Sequence, residues 1–466
     1  MEKQSTIEQL KFPDNIRQNP GLMLGSLNDA SLLFREILDN ARDELIASKS
    51  ADTIWLKCDS DFHVVADNGR GINVAISEND PYKRTQMELA VGEIYAGGKY
   101  HSDKVQGGMH GVGSSAVNAV SDLFRIACKI TPDNYSKSSI KVQEFFKGKP
   151  APTITPEYYL FVEYQKGIKV NEYVATYEDL KKEFDKDLPQ YMSTIVGFTS
   201  DLSIVKSNVV NFQDSWIEYT EFVLEHFFNK KVNIYLNGVK VEKSITPYKY
   251  QMQKDVTLSH PEWAQVNTHF QMYISFEFNK DLNQSGDSGC VNLVTVNRGV
   301  HINYAKRVIK RLLKEVFNIE HDVLDPGLFV NVILLANKVG YDSQTKVRLT
   351  YLDGLSDDDY YAFDDEIRQI FNDNYDEIKA HVDALNELAA TYDNLSAKEY
   401  IHQMINISTD NGNRAKSFQP IKLIDASAPE SDRSSCELFL CEGSSASGTI
   451  MKVRDPYYHA VMPLKG

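Results

Sequence analysis

The chain has 466 residues, 42% hydrophobic and 25% charged, with 50 basic against 65 acidic side chains and a net charge of −15. That length excludes a single small binding module and suggests roughly two to four domains. No apolar stretch is long enough to predict a membrane span, and the acidic balance excludes a chain whose whole surface attracts polyanions, so any surface for nucleic acid must be local. The five cysteines, Cys58, Cys128, Cys290, Cys436 and Cys441, are scattered and outside any metal-ligand spacing, which argues against a disulfide framework or a structural zinc. The opening residues carry no secretion signal, so the expected location is the cytoplasm, bacterial by the reading below.

After a polar arm, Leu33, Ile37, Ala41 and Leu45 recur at helical spacing and predict a helix over 30–47. Glu36, Asn40, Asp43 and Glu44 fall at i, i+4, i+7 and i+8, which sets a polar face opposite that stripe. A strand over 62–66 runs into the turn Asp67-x-Gly69-x-Gly71, and residues 95–113 are dense in glycine before a helix predicted over 114–120. Residues 124–245 alternate as strands do, with hairpins predicted around 147–152 and at Asn237-Gly238. Less regular sequence over 247–292 leads to apolar β runs at 291–296 and 328–336, separated by a basic helix over 304–317. Together these predict a second α+β unit. Residues 357–395 read as acidic helix, 408–422 as a polar linker, and 437–441 as a short strand before the turn Glu442-Gly443.

The residue types point to chemistry on phosphates. Glu36 suits a general base for water, and Asn40 offers a carbonyl oxygen to Mg²⁺, a hard ion that prefers oxygen donors. Asp67 at a strand end suits an adenine amino group, with Gly69 and Gly71 allowing close backbone approach; taken alone the turn suits an ordinary β-turn equally. Gly107, Gly108, Met109, His110, Gly111, Val112 and Gly113 precede a helix whose free N–H groups and positive dipole end would hold phosphate oxygens. Gly97, Gly98 and Lys99 form a second glycine stretch suited to a lid. A Walker A loop is excluded, because Ser114 stands where that motif requires lysine. Lys306, Arg307, Lys310, Arg311 and Lys314 concentrate positive charge on the basic helix, a pattern that fits a solvated face as well as phosphate contacts to a DNA duplex.

Three blocks in this order, Glu36xxxAsn40, Asp67xGly69xGly71 and the glycine loop over 107–113, resemble the Bergerat ATP-binding fold of the GHKL family. Ser343-Gln344-Thr345-Lys346 resembles the QTK loop of type IIA DNA topoisomerases, Glu442-Gly443-Ser444-Ser445-Ala446 the start of their TOPRIM domain, and Pro463-Leu464-Lys465-Gly466 its PLKG segment. Residues 19–25 and 193–198 resemble two further segments of the same gyrase B-like ATPases. The resemblance implies an α+β multidomain chain: an N-terminal arm over 1–13, a GHKL ATPase α/β sandwich over 14–215, and a transducer domain of the ribosomal protein S5 domain 2-like α/β type over 216–398. A linker over 399–430 and the N-terminal part of a TOPRIM domain over 431–466 complete the expected layout.

ATP and Mg²⁺ are the cofactors implied. By the same resemblance Glu36 activates water, Asn40 holds Mg²⁺, and Asp67 meets adenine with Gly69, Gly71 and Thr194 beside it. Lys99, Gly107, Gly108, His110, Gly111, Val112 and Gly113 wrap the nucleotide. Lys346, with Gln344, reaches the γ-phosphate from the second domain, and Glu442 is a metal ligand and acid for DNA cleavage. Ser444 stands where the family has Asp, and neither a DxD pair nor a domain with a cleavage tyrosine follows, a layout similar to the split large subunit of bacteriophage topoisomerases. The partners expected are double-stranded DNA, a second copy joined through the ATPase domain, a polypeptide completing TOPRIM and a gyrase A-like subunit with the cleavage tyrosine, without any membrane. The function expected is ATP-driven dimerisation that captures a duplex and drives strand passage through a break made with partner subunits. The alternative is a nucleotide-switched DNA clamp or regulatory protein without cleavage activity.

Overall fold

The apolar runs that dominate the first 200 residues are strands of one sheet covered on both faces. A computed structural model describes residues 10–25, 27–94, 112–155, 157–242, 244–259, 267–279, 286–317, 327–336, 339–342, 346, 348–352, 362–393, 436–442, 454–455 and 457–464. The chain divides into two compact units, Met1–Asn386 and Glu387–Gly466.

The first unit opens with two short helices, α1 (Asp14–Arg17) and α2 (Pro20–Leu24), then the long α3 (Ser31–Ala47) and the strands β1 (Thr53–Lys57) and β2 (His63–Asp67). Helices α4 (Gln86–Gly92) and α5 (Gly113–Ala119) precede β3 (Ser121–Lys129), α6 (Ile140–Phe146), β4 (Tyr158–Gln165), β5 (Ile168–Thr176), α7 (Tyr177–Glu183) and β6 (Thr194–Ser200). Then come α8 (Glu218–Phe228), β7 (Asn233–Leu236) and β8 (Val239–Val241). The eight strands form one sheet in the order β5-β4-β3-β6-β2-β1-β7-β8, antiparallel throughout except where β7 runs parallel to β1.

Side-chain parity sorts this sheet into two cores. Leu56, Val65, Phe124, Ile126, Cys128, Leu160, Val162, Val196 and Phe198 face the helical layer with Leu33, Ile37, Ala41 and Leu45 of α3. Their neighbours Trp55, Val64, Ala66, Ala127, Phe161 and Ile195 face the opposite side, covered by Leu180, Phe184 and Leu188. The boundary expected at 215/216 falls between β6 and β7, two strands of this one sheet.

A second sheet, in the order β12-β11-β13-β10-β9, comprises β9 (Tyr250–Ser259), β10 (Asn267–Phe278), β11 (Ser288–Val291), β12 (Val294–Thr295) and β13 (Leu328–Ala336). The basic helix α9 (Val300–Phe317) packs on β13, and α8 covers the other side through Tyr219, Phe222 and Val223 against Tyr273, Cys290, Ile333 and Leu335. A short pair, β14 (Val339–Tyr341) and β15 (Leu349–Leu352), returns toward the start of α9, and helices Asp364–Asp373 and Tyr375–Asp393 follow. In the second unit β16 (Glu437–Glu442) pairs in parallel with β17 (His459–Leu464). No described helix is long and apolar enough to cross a membrane.

Two elements depart from the sequence expectations. Residues 147–152 do not form a hairpin; they follow α6, whose Val142 and Phe146 are buried one helical turn apart. The hairpin here is β4–β5, turned at Lys166 and Gly167 with φ of +51° and +83°, the left-handed pair that a tight turn needs. The stretch 247–292, expected to be irregular, holds the long β9 and β10; in β9 exposed Gln251, Gln253 and Asp255 alternate with buried Tyr250 and Met252. The hairpin at Asn237-Gly238 forms as expected, with φ of +51° and +80°.

Gly299 starts α9 at φ +134°, and a Cβ there would lie 2.1 Å from the carbonyl oxygen of Leu349 on β15. Gly299→Ala is therefore expected to destabilise the chain by about 3 kcal/mol or more, combining backbone strain with a backbone clash. Denaturant unfolding would measure it, and a wild-type midpoint would refute the contact.

Candidate functional site

Strand parity places the adenine-type residues together. Asp67 is two residues beyond Val65, and Thr194 two before Val196, so both face the helical layer, and they are direct cross-strand partners on β2 and β6. Cys128 on β3 pairs with Thr194 from the other side. Asp67 is 5% exposed, and its carboxylate accepts the Gly69 N–H at 2.8 Å. Burial pushes its pKa up to about 7, only partly offset by that hydrogen bond, with Glu44 adding to the rise. A Cβ on Gly69 would sit 2.7 Å from this carboxylate oxygen and 2.8 Å from Glu44, so only glycine leaves the turn where it is. Gly71 adopts φ +79° against the Lys129 stem, whose ammonium donates to the Gly69 carbonyl at 3.2 Å. Arg70 clips the turn to α3 by donating twice to Glu44, at 3.0 and 2.7 Å.

The phosphate-side residues meet where α3 faces the start of α5. The Glu36 carboxylate lies against the Gly113 backbone, such that a Cβ on Gly113 would be 2.4 Å from its oxygen. Withdrawal from water raises the Glu36 pKa, opposed first by the Lys346 ammonium. The Asn40 amide donates to the Ser114 hydroxyl at 2.9 Å, which leaves its carbonyl oxygen as the group for a cation. Val112, buried, leads into α5.

The polar side of α3 is not a solvated face. Asp39, Arg42 and Asp43 are 5%, 2% and 2% exposed, because α8 and α5 pack on the helix as well as the sheet. Arg42 donates to the Asp39 carboxylate and to the Trp216 carbonyl. Burial would raise the Asp39 pKa, but Arg42, Lys346 and Arg35 together hold it below the ordinary carboxylate value.

Lys346 reaches this helix from beyond β14. It is 8% exposed, takes φ +53°, and its ammonium lies 3.9 Å from Asp39. The Tyr341 hydroxyl of β14 is buried without a hydrogen-bond partner among the described residues. The structure thus brings together Glu36, Asn40, Gly113 and Lys346, and separately Asp67, Gly69, Gly71 and Thr194 along the same helix. Lys99, Gly107, Gly108, His110, Gly111 and Gln344 lie outside the described residues, as does the side chain of Glu442, whose backbone ends β16 opposite Leu464. Of the basic helix, Lys306 pairs with Asp287 at 2.7 Å and Arg311 with Asp364, while Arg307 and Lys314 are exposed. Asp39, Arg42, Lys129 and Ser114 were not legible as site residues; the i, i+3 spacing of Asp39 and Arg42 was the one available signal.

No family model matches the chain. It is similar to the DNA gyrase B protein of Thermotoga maritima, 26% identical over all of this chain and 71% of that protein. The DNA gyrase B protein of Helicobacter pylori is 27% identical over 99% of this chain and 57% of its own length. Among solved structures, the ATPase region of Saccharomyces cerevisiae topoisomerase II superimposes with a TM-score of 0.55 at 14% identity, over 82% of this chain and 98% of that one. The topoisomerase IV ATP-binding domain of Francisella tularensis gives 0.54 at 18%, with the same coverages of 82% and 98%. These structures share the fold of both sheets.

Two outcomes follow from the geometry. Gly113→Ala is expected to push the Glu36 carboxylate aside and lower nucleotide turnover by about 10²-fold with unchanged circular dichroism, since ångström-scale displacement of a reacting group costs that much. Asp67 in the native chain binds a proton that the unfolded chain releases between pH 3.8 and about 7, so its contribution to stability is full below that window and lost as pH rises through it. Asp67→Asn should therefore be more stable than wild type by about 1–3 kcal/mol at pH 8, with the gap closing toward pH 4. Urea titrations across pH would read both arms.

Proposed function

We infer that this chain, which is an ATP-binding subunit of the type IIA DNA topoisomerases, uses ATP binding and hydrolysis on α3 and α5 to move its second sheet. One observation carries this reading: Lys346, which follows the strand next to the second sheet, is buried against the same helix that holds Glu36.

The residues fit a nucleotide. Asp67 is a buried acceptor that takes the Gly69 backbone N–H, suited to an exocyclic amino group, and glycine at 69 lets the turn pack closely on Asp67 and Glu44. Glu36 stands beside Gly113, the last residue of the expected phosphate loop, where it would take a proton from the water attacking the γ-phosphate. Asn40, its amide nitrogen committed to Ser114, would present its carbonyl oxygen to Mg²⁺. When bound, that ion neutralises phosphate charge. Lys346 would hold the γ-phosphate, and cleavage of that group removes its anchor, so the second sheet can shift relative to the first.

On this reading two copies close around a DNA duplex when ATP binds. Cleavage and resealing would involve a partner subunit, a gyrase A-like chain with the tyrosine; the relatives' designation as one of the gyrase subunits supports this. Nothing in the fold favours the clamp without cleavage. DNA contact would fall to exposed residues of α9 such as Arg307 and Lys314. Glu36→Gln is expected to bind a non-hydrolysable ATP analogue and dimerise as wild type does, while losing about 10²–10⁴ in turnover. Steady-state hydrolysis with light scattering would check it, and wild-type turnover would remove Glu36 from the mechanism.

A further inference from the structure

We propose that Asp39 is a positioning residue that pairs with the Lys346 ammonium on α3 and competes with the γ-phosphate for it. The inference rests on the reading above, in which Lys346 meets the triphosphate, and concerns a group to which that reading gives no role.

Three contacts carry it. The Asp39 carboxylate is buried and faces Lys346 at 3.9 Å from its Oδ2. Its other oxygen, Oδ1, accepts from Arg42. Arg42 in turn donates to the carbonyl of Trp216, in the turn just before α8. The preceding residue of that turn, Ser215, accepts through its carbonyl from the Thr295 hydroxyl of β12 at 2.7 Å. A chain of polar contacts thus runs from Lys346 through α3 to the turn before α8, which is hydrogen-bonded to β12 of the second sheet.

In such a buried site a carboxylate shared by two cations is more stable than one left with a single partner. Moving the ammonium from Asp39 to a phosphate therefore has two effects. It weakens triphosphate binding by the free energy of the Asp39 contact, and it changes the charge that Arg42 experiences beside the Trp216 turn. Asp39 then sets how strongly the chain resists closing until a γ-phosphate is present. Glu36, Asp43 and Arg35 also act electrostatically at this point of α3. Among these acids it is Asp39 that has Lys346 as a salt-bridge partner among the described residues.

The test compares the full chain and its variants for binding of a non-hydrolysable ATP analogue and of ADP, by calorimetry with Mg²⁺. Asp39→Asn keeps an acceptor for Arg42 but removes the charge, and is expected to tighten the analogue roughly five- to tenfold while leaving ADP within about twofold. Asp39→Glu should restore the wild-type ratio, and in a Lys346→Gln background Asp39→Asn should change nothing. If Lys346→Gln weakens the analogue but Asp39→Asn leaves the ratio at the wild-type value, the competition is refuted and the role of Lys346 stands. If Lys346→Gln leaves analogue binding unaltered, the phosphate contact itself fails. Should Asp39→Asn not fold, the melting temperature of nucleotide-free Lys346→Gln decides. A fall of about 2–4 °C supports the resting contact, and an unchanged value overturns it.

Discussion

A charged helix buried between a sheet and two further helices, α5 and α8, is the constraint on which this molecule is built. α3 turns its apolar stripe to the first sheet, and its opposite side carries Asp39, Arg42 and Asp43, all nearly inaccessible. Burying such groups is unfavourable unless each is paired, and removing one partner of a buried pair typically costs about 3–5 kcal/mol. Part of the pairing is within the helix, where Arg42 donates to Asp39, and part comes from outside it: Arg42 also donates to the Trp216 carbonyl, and Asp39 has Lys346, which follows β14 in the chain. The electrostatics of one helix therefore oblige distant parts of the chain to meet.

The same helix explains why the site is costly to stability. Asp67 is held where its charged form is disfavoured, and Glu36 lies against a backbone that leaves no room for a methyl group. On the proposed reading both groups would gain a partner on binding, an amino donor for Asp67 and the attacking water for Glu36. Lys129 and Arg70 steady the glycine turn, the first through the Gly69 carbonyl and the second through Glu44 of α3.

Much of the fold could be read from spacing. The α3 stripe, the β2 strand leading into Asp67, the all-buried β13 and the Asn237-Gly238 hairpin announce themselves by periodicity or turn chemistry. β9 did not, because Gln251, Gln253 and Asp255 alternate along it on a face that meets water, and Lys254 interrupts the apolar face of Tyr250 and Met252, which dilutes the apolar signal. Of the site, Glu36, Asn40, Asp67 and Thr194 were legible from motif and order. The Asp39–Arg42 pair was not, because helical spacing tells which residues share a side but not that a second layer covers it. Lys129 gave no signal at all: a lysine at a strand end becomes a site residue only once β3 is known to lie beside β6.

The parallel pairing of β7 with β1 bears on how the chain can be divided. β7 and β8 complete the first sheet, yet α8 lies between them and β6 in the chain. A fragment stopping after β6 would leave β1 as an unprotected edge, open to pairing with other molecules. A fragment carried through residue 241 would close that edge but strip Tyr219, Phe222 and Val223 of their cover from Tyr273 and Ile333. Neither cut yields a surface suited to water, so each of the two sheets relies on the other's segment of chain for its cover, and neither is an interchangeable module.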